Sequence, residues 1–325
     1  MLVSVLLFAV GLVLLIKGGD WFVDGATGIA KRFNLPDIVV GATVVSIGTT
    51  LPEVMVSTTG ALAGSGAMAY GNAIGSIICN TALIAAISIV CNPGPVNTKS
   101  MKTPAIFFFV SAALYCLASY VLGEFPRWMG FVMLSIFVVY TVLTVRNGLK
   151  NPDAAHEEEE EEAGKERKLW QELLLLVIGA AVIAVGADLL VDHGQIIAIG
   201  LGVPETVVAL LFVALGTSLP ELVTTITSLR SGHASLGVGN VIGANVFNLV
   251  LVSGVAVSLA PFEVPCESYL LDTGLNMSLV FEIPVMLGVM CLMIFPALAT
   301  KKLQRWQGIA LLCIYAAFCV CQYVL

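Results

Sequence analysis

The sequence predicts an all-α polytopic membrane protein with ten transmembrane helices, arranged as two inverted five-helix repeats. Of the 325 residues, 58% are hydrophobic and only 11% are charged, whereas about a quarter of the residues in a soluble globular protein are charged. A spanning helix needs roughly 20 apolar residues, and the apolar runs of this chain are long enough for about ten of them. The third observation is that the two halves of the chain repeat one another.

The repeat is carried by two polar motifs inside apolar runs. GTTLPE at residues 48–53 returns as GTSLPE at residues 216–221, an offset of 168. The same offset carries GNAIGS at 71–76 onto GNVIGA at 239–244, with no insertion or deletion between the motifs. Chance does not produce an ungapped match of this kind. We therefore interpret the chain as a duplicated membrane unit.

The first repeat, residues 1–147, is predicted to hold five spans. The first ends at the basic pair Lys31-Arg32, the second contains Pro52, and the third stops before NPGP at residues 92–95. The predicted spans are 2–30, 36–63, 68–90, 104–122 and 128–145.

Residues 148–168 are predicted to form an acidic cytoplasmic linker between the repeats. Glu157 to Glu162 form an unbroken run, and like charges in a row repel one another and stay solvated. The alternative, a calcium-sensing segment, is disfavoured because no twelve-residue calcium loop with its turn glycine accompanies the run.

The second repeat, residues 169–325, follows the plan of the first. RWMG at 127–130 reappears as RWQG at 305–308 after an extra stretch near 262–283. Because each half holds an odd number of spans, the halves enter the membrane in opposite directions. Secondary transporters commonly use such inverted repeats, with ion sites near mid-membrane at the repeat interface. The predicted spans are 170–199, 204–229, 236–259, 284–299 and 303–325.

Basic residues predict the orientation, because cytoplasmic loops are rich in Lys and Arg. An outside N-terminus puts 13 of the 15 basic residues in cytoplasmic loops and both termini outside the cytoplasm.

The N-terminus has no basic region before its apolar run, so we expect the first span to be retained and not cleaved as a signal peptide. The eight cysteines have no CxxC spacing and are predicted to be small hydrophobic residues instead of a disulfide framework or zinc site.

Glu53 and Glu221 each lie at about mid-membrane depth. A charged side chain there costs about 2.5–3.5 kcal/mol and normally faces the interior of the helix bundle. No arginine is available at this depth, and the spacing of Lys17 to Asp20 and Asp24 predicts pairing within its own helix. A bound cation is therefore predicted to neutralise the two glutamates.

Pro52 and Pro220 each remove a backbone hydrogen bond and are predicted to break their helices. Carbonyls near Gly48 and Gly216 would then be free, and irregular backbone at this depth is tolerated where it lines a cavity. Every candidate side-chain ligand carries oxygen, as hard ions such as calcium prefer. The other candidate ligands are Thr49, Thr50, Ser76 and Asn80 in the first copy, and Thr217, Ser218 and Asn248 in the second.

A purely structural interpretation is that the prolines kink their helices and that the GxxxG spacings let helices approach closely. Two matched copies, each with a carboxylate, favour an ion site over that interpretation.

These paired motifs resemble the two α-repeats of the sodium/calcium exchanger family, within the cation/calcium antiporter superfamily. The resemblance covers the whole chain and is to the compact prokaryotic form, without a large regulatory loop. It implies ten helices, of which helices 2, 3, 7 and 8 form four cation sites, one for calcium and the others for sodium. Helices 1 and 6 would slide across that core.

The resemblance implies that calcium and sodium share Glu53 and Glu221. The seven hydroxyl and amide candidates would complete the sites, together with the main-chain carbonyls of Ser46 and Ala214. The chain departs from the family pattern at Ile77, where asparagine is usual, and at Ala244, where serine is usual. Asn248 stands where many relatives have aspartate, and this disfavours the potassium-dependent branch.

The implied function is secondary active exchange of calcium for sodium across the cytoplasmic membrane by alternating access, with the sodium gradient driving calcium outward. The partners would be calcium and sodium ions and the lipid bilayer, with no cofactor, no catalytic residues and no nucleic acid.

The alternative within the superfamily is a calcium/proton or potassium-dependent exchanger, although calcium/proton exchangers usually carry an acid where this chain has Gly75 and Gly243. A cation channel is disfavoured because the motifs form an inverted pair instead of a ring of filters. An intramembrane enzyme is disfavoured because HExxH and GxSxG are both lacking.

Overall fold

The computed structural model describes residues 2–150, 167–201, 216–265 and 276–324, and these residues form helices joined by short connections. Within this part of the chain, nine helices are long and apolar enough to cross a membrane. The helices are α1 (Leu2–Phe33), α2 (Asp37–Leu62), α3 (Gly66–Cys91), α4 (Thr98–Leu122), α5 (Arg127–Leu149), α6 (Leu169–Gly200), α7 (Leu219–Arg230), α8 (Ala234–Leu259), α9 (Ser278–Thr300) and α10 (Arg305–Val324). The all-helical membrane fold is confirmed.

Two predicted features fall wholly or partly outside the described residues. The predicted seventh span, 204–229, is described only from residue 216 onward, where α7 occupies its second half. The acidic run from Glu157 to Glu162 lies entirely outside.

The start of α4 differs from its predicted position. It begins at Thr98, six residues before Pro104, which was predicted to start the span. The side chain of Asn97 accepts hydrogen bonds from the backbone N–H groups of Lys99 and Ser100, at 3.1 and 3.2 Å. Such a cap satisfies N–H groups that a helix start leaves free, and Pro104 then sits in an early turn of the helix.

The predicted helix break at the prolines is wrong for Pro52, which lies inside a continuous helical stretch, Ser46–Leu62. A proline removes only one donor, and the helix packs against α8 on both sides of this position. The irregular part of α2 is a wider π-helical turn, Gly41–Val45. Pro220 sits in the first turn of α7, where its missing N–H has no helical partner to lose.

The helices α1 and α6 pack against one another as an antiparallel pair. Their backbones approach at glycines: a Cβ atom added to Gly11 would lie 2.9 Å from the Gly186 carbonyl oxygen, and one added to Gly18 would lie 2.9 Å from the Ile183 nitrogen. Large apolar side chains elsewhere on both helices are exposed, as expected of helices that face lipid. Lys17 pairs with Asp20 at 3.6 Å within α1, as predicted.

The core lies between α2, α3, α7 and α8. Every residue of α8 from Leu236 to Phe247 is buried. A helix with no exposed face must be surrounded by protein on all sides. The centre of the molecule is therefore the region where these four helices meet.

Two short antiparallel ribbons tie the halves of the chain together. One joins β1 (Gly94–Pro95) to β4 (Lys302–Leu303), and the other joins β2 (Glu124–Phe125) to β3 (Phe262–Glu263). Displacement by 168 residues carries β1 onto β3, and displacement by 178, the offset of the RWMG motif, carries β2 onto β4. The two displacements carry the residue pairs of the β1–β4 ribbon onto those of the β2–β3 ribbon. The two ribbons are therefore equivalent by the repeat.

Candidate cation site

Close packing of α2 on α8 brings the two polar motifs together. A Cβ atom added to Gly41 would lie 2.8 Å from the Asn240 backbone nitrogen, and one added to Gly243 would lie 2.6 Å from the Ala42 Cα atom. Only glycine allows such an approach at these positions. The second GxxxG spacing thus allows the close helix approach that the structural interpretation gave it, whereas a Cβ atom added to Gly71 or Gly75 of the first would meet no described atom within 4 Å.

Glu53 and Glu221 are both fully buried. No Lys, Arg or His in the described ranges forms an ion pair with either residue. The two carboxylates are near enough for their charges to interact. Breaking a buried charge pair, which leaves one charge uncompensated, costs about 3–5 kcal/mol. The site therefore has the electrostatics of a cation receptor.

Asn80 and Asn248 lie at equivalent positions of the two repeats, on helices that contact those of the glutamates. Each begins a π-helical turn, Asn80–Ala85 in α3 and Asn248–Val252 in α8, and each of these turns contacts the helix that carries the other. Both side chains are fully buried, and neither amide has a hydrogen-bond partner in the described part of the protein. π-helical turns inside α-helices occur frequently at functional sites.

The hydroxyls of α2 link the glutamates to α8. Thr49 lies beside the Glu221 carboxylate and donates a hydrogen bond to Asn240 Oδ1 at 3.2 Å. Thr50 donates to the Ser46 carbonyl at 2.6 Å.

The remaining predicted ligands differ in burial. Ser76 and Ser218 are buried, and the Ser218 hydroxyl lies beside the Cys79 thiol. Thr217 is half-buried at the start of the motif. Ala214 lies outside the described residues.

Two asparagines of the site were missed by the sequence analysis, although both lie in the repeated GN motif. Asn240 accepts from Thr49 and also from the Ser46 hydroxyl, at 3.3 Å. Its counterpart Asn72 donates to the Glu53 carbonyl oxygen at 3.2 Å and to the Ser57 hydroxyl at 2.8 Å. The motif was interpreted through its glycines, whereas its asparagines join α2, the helix of Glu53, to α3 and α8.

The site has too few acidic groups to hold a cation by carboxylates alone. Among the described residues, no three His, Cys, Asp or Glu side chains lie close enough together to bind a metal ion. Two carboxylates surrounded by hydroxyl and amide oxygens are a donor set for hard cations that use six to eight oxygens, as calcium does. Soft and borderline metals prefer sulfur or imidazole.

The fold and this buried oxygen-lined cluster define a polytopic membrane protein of the ion-transporting class. The family model described as sodium/calcium exchanger protein matches residues 3–146 and 172–324. The chain therefore belongs to the sodium/calcium exchanger family, a family of antiporters.

Full-length relatives and a solved structure agree with this assignment. The sodium/calcium exchanger MaX1 of Methanosarcina acetivorans is 30% identical over 352 aligned residues, which cover 98% of each chain. The putative antiporter CaxA of Alkalimonas amylolytica is 32% identical and covers 100% of this chain and 99% of its own. The structure of the sodium-calcium exchanger NCX_Mj soaked with 2.5 mM Na⁺ and 10 mM Sr²⁺ superposes with a TM-score of 0.79, at 31% identity and 97% coverage of both chains.

Proposed function

We propose that this protein is a secondary active antiporter that exchanges calcium for sodium across the cytoplasmic membrane. The observation that carries the proposal is the pair of fully buried carboxylates, Glu53 and Glu221, which have no cationic partner among the described residues and come from equivalent positions of a duplicated sequence. One Ca²⁺ balances two carboxylates in charge. Sodium ions at the same oxygens would balance them in turn, so the two ions would compete for one cluster.

The proposed ligands come from both halves of the chain. Glu53 and Glu221 would bind both ions, and the surrounding hydroxyl, amide and carbonyl oxygens would complete their coordination. These further ligands are Thr49, Thr50, Ser76, Asn80, Thr217, Ser218 and Asn248, with the main-chain carbonyls of Ser46 and Ala214.

We further propose ten helices in two inverted repeats, residues 1–147 and 169–325, joined by the linker 148–168. The exchange of equivalent strands between the two ribbons supports this arrangement. A second contact supports it as well: Gly130 approaches the Ser258 nitrogen, and Gly308 approaches the Val90 nitrogen in the same way. Those pairs are related by the same two offsets, 168 and 178.

Alternating access would follow from movement of α1 and α6 against the core. Their mutual contact is lined by glycines, as described above, so the pair can move as one body. On the core side, Gly19 of α1 meets Val223 and Thr227 of α7. A sliding pair that touches the helix of Glu221 could expose the site to one side of the membrane at a time.

The proposed orientation has both termini outside the cytoplasm. Cysteines introduced at Lys99 and Lys301 should react with a membrane-impermeant thiol reagent from the cytoplasmic side, and cysteines at Glu124 and Glu263 from the other side. All four residues are exposed. Labelling of all four from one face would contradict the orientation and the inverted repeat.

The competing hypothesis is that protons or potassium ions take part in the exchange. Gly75 and Gly243 leave no carboxyl group at the positions where calcium/proton exchangers usually have one, and Asn248 leaves only two acidic ligands. Calcium uptake into inverted vesicles tests this directly when the opposing gradient is sodium, potassium or protons in turn. We expect uptake with the sodium gradient alone, and uptake driven equally by protons without sodium would overturn the proposal.

A further inference from the structure

The hydroxyl groups of α7 below Glu221 are unusual for a membrane helix. Thr224, Thr225 and Ser228 are 0%, 2% and 0% exposed, and none of the three hydroxyls has a hydrogen-bond partner within the described ranges. Leaving a buried hydroxyl unsatisfied costs about 1–3 kcal/mol.

Other hydroxyls of the molecule avoid this cost by bonding to their own helix. Thr43, Thr141 and Ser111 each donate to the carbonyl four residues earlier, at 2.7, 3.0 and 2.7 Å. That arrangement is available to any Ser or Thr inside a helix. The hydroxyls of α7 do not use it, so they point away from their own backbone.

The three residues share the helix face of Glu221. They follow it by three, four and seven residues, which places all of them on one stripe of an α-helix. Val223 and Thr227 lie on the opposite face, against Gly19 of α1. The hydroxyl stripe is therefore turned toward the core and away from α1.

The core side of α7 packs along the second half of α3, from Asn80 to Cys91, and against α8. Thr225 itself meets α8 at Gly237, where an added Cβ would lie 3.2 Å from the Thr225 Cα atom. The stripe thus runs between the helices that carry the two site asparagines.

A cavity of about 220 Å³ is lined in part by Ala234 and Ser235, which follow the C-terminal end of α7 along the chain. It is bounded by the start of α2, the end of α3 and the start of α8, and its polar lining includes Ser88, Asn92, Asn97 and Ser235. The carbonyl of Ser228 accepts a hydrogen bond from the backbone of His233 at 2.8 Å, and His233 lies two residues before Ser235. The backbone of Ser228, the last residue of the stripe, is therefore bonded to the segment that leads into the cavity lining.

We propose that Thr224, Thr225 and Ser228 line an inner cation passage between this cavity and Glu221, closed in the present conformation. The proposal rests on the proposed exchange function. When the passage opens, its hydroxyl oxygens would replace part of the water shell of a cation that moves toward the carboxylate, as oxygen-lined pores do. The three residues would then control access from one side without being ligands of the final site.

The test uses Thr224→Val, Thr225→Val and Ser228→Ala in the full-length protein, in vesicles of known orientation. Valine has nearly the shape of threonine, so packing is retained while the hydroxyl is lost. We expect kcat/KM for calcium presented on the cavity side to fall at least fivefold. The KM for calcium presented on the opposite side should stay within twofold of the wild type.

Two matched variants separate this role from a structural one. Thr224→Ser keeps the hydroxyl and should restore cavity-side kcat/KM, even if Thr224→Val is poorly folded. Thr141→Val removes a hydroxyl that is bonded to its own helix and should change neither side. Equilibrium calcium binding by the purified Thr225→Val and Ser228→Ala variants should match the wild type within twofold.

The results distinguish this inference from the proposed function. If the wild type shows no sodium-driven calcium flux, the proposed function fails. If the wild type is active and the variants lose nothing, or change KM equally on both sides, the passage is contradicted while the exchange function stands.

Discussion

Glu53→Gln and Glu221→Gln are each expected to reduce sodium-driven calcium flux by at least about 100-fold. The two carboxylates are fully buried without cationic partners in the described residues, so each supplies half of the charge that opposes a divalent ion. Breaking a buried charge pair costs about 3–5 kcal/mol, and each 1.4 kcal/mol is a factor of ten in affinity. Glutamine has the shape of glutamate, so the helices should still pack.

The measurement is calcium uptake by proteoliposomes, together with thermal unfolding of the purified variants. Glu124→Gln is the control, because Glu124 is an exposed glutamate in a connecting ribbon. Its flux should equal that of the wild type. Normal flux in either the Glu53 or the Glu221 variant would remove that residue from the site.

Gly243→Ala is expected to lower thermal stability strongly and to abolish calcium flux. A Cβ atom at this position would lie 2.6 Å from Ala42 Cα and 2.7 Å from the Ala42 carbonyl oxygen. Both are backbone atoms that cannot rotate away. Adding atoms to a well-packed core typically costs about 1–3 kcal/mol, and relief here requires α2 to move away from α8. That movement would separate Thr49 from Asn240 and disturb the cluster around the glutamates.

Gly288→Ala is the matched control for this substitution. Gly288 is also inside a helix, but an added Cβ there would meet no described atom within 4 Å. Alanine has a higher helix propensity than glycine, so this variant should be as stable as the wild type or more stable. If Gly243→Ala unfolds at the same temperature as Gly288→Ala and transports calcium normally, the close contact between α2 and α8 is contradicted.

The sequence was sufficient to predict the spans that the structure describes in full and the burial of the two carboxylates, because both follow from long-range regularities. The length of each apolar run shows where a helix can cross a bilayer. The offset of 168 gives Glu221 the same position in the second copy as Glu53 has in the first. Boundaries were less accurate where a local hydrogen bond decides them. Asn97 caps α4, whose first residue, Thr98, lies six residues before the proline predicted to start the span.

The irregular turns of the helices could not be predicted in the same way. Pro52 was expected to break α2, whereas the π-helical turn of that helix lies earlier, at Gly41–Val45. The turns that begin at Asn80 and Asn248 follow no proline. Each depends on packing against neighbouring helices, which a single sequence does not display.

The hydrogen-bond partners of hydroxyl groups could not be predicted from the sequence either. Thr141 and Thr225 are both threonines in apolar helices, yet the first bonds to its own backbone and the second has no partner among the described groups. The difference comes from side-chain rotation and from the helix on the other side. Asn240 was missed for a related reason, because its importance depends on Thr49 and Ser46 of a distant helix.

The central claim is that calcium and sodium compete for one site built on Glu53 and Glu221. The most direct test is calcium binding by the purified protein, measured at rising sodium concentration with potassium keeping the ionic strength constant. We expect the apparent Kd for calcium to rise more steeply than in proportion to sodium, because several sodium ions replace one calcium ion. We also expect Glu53→Gln to bind neither ion measurably. A calcium Kd that is independent of sodium in the wild type would contradict the claim.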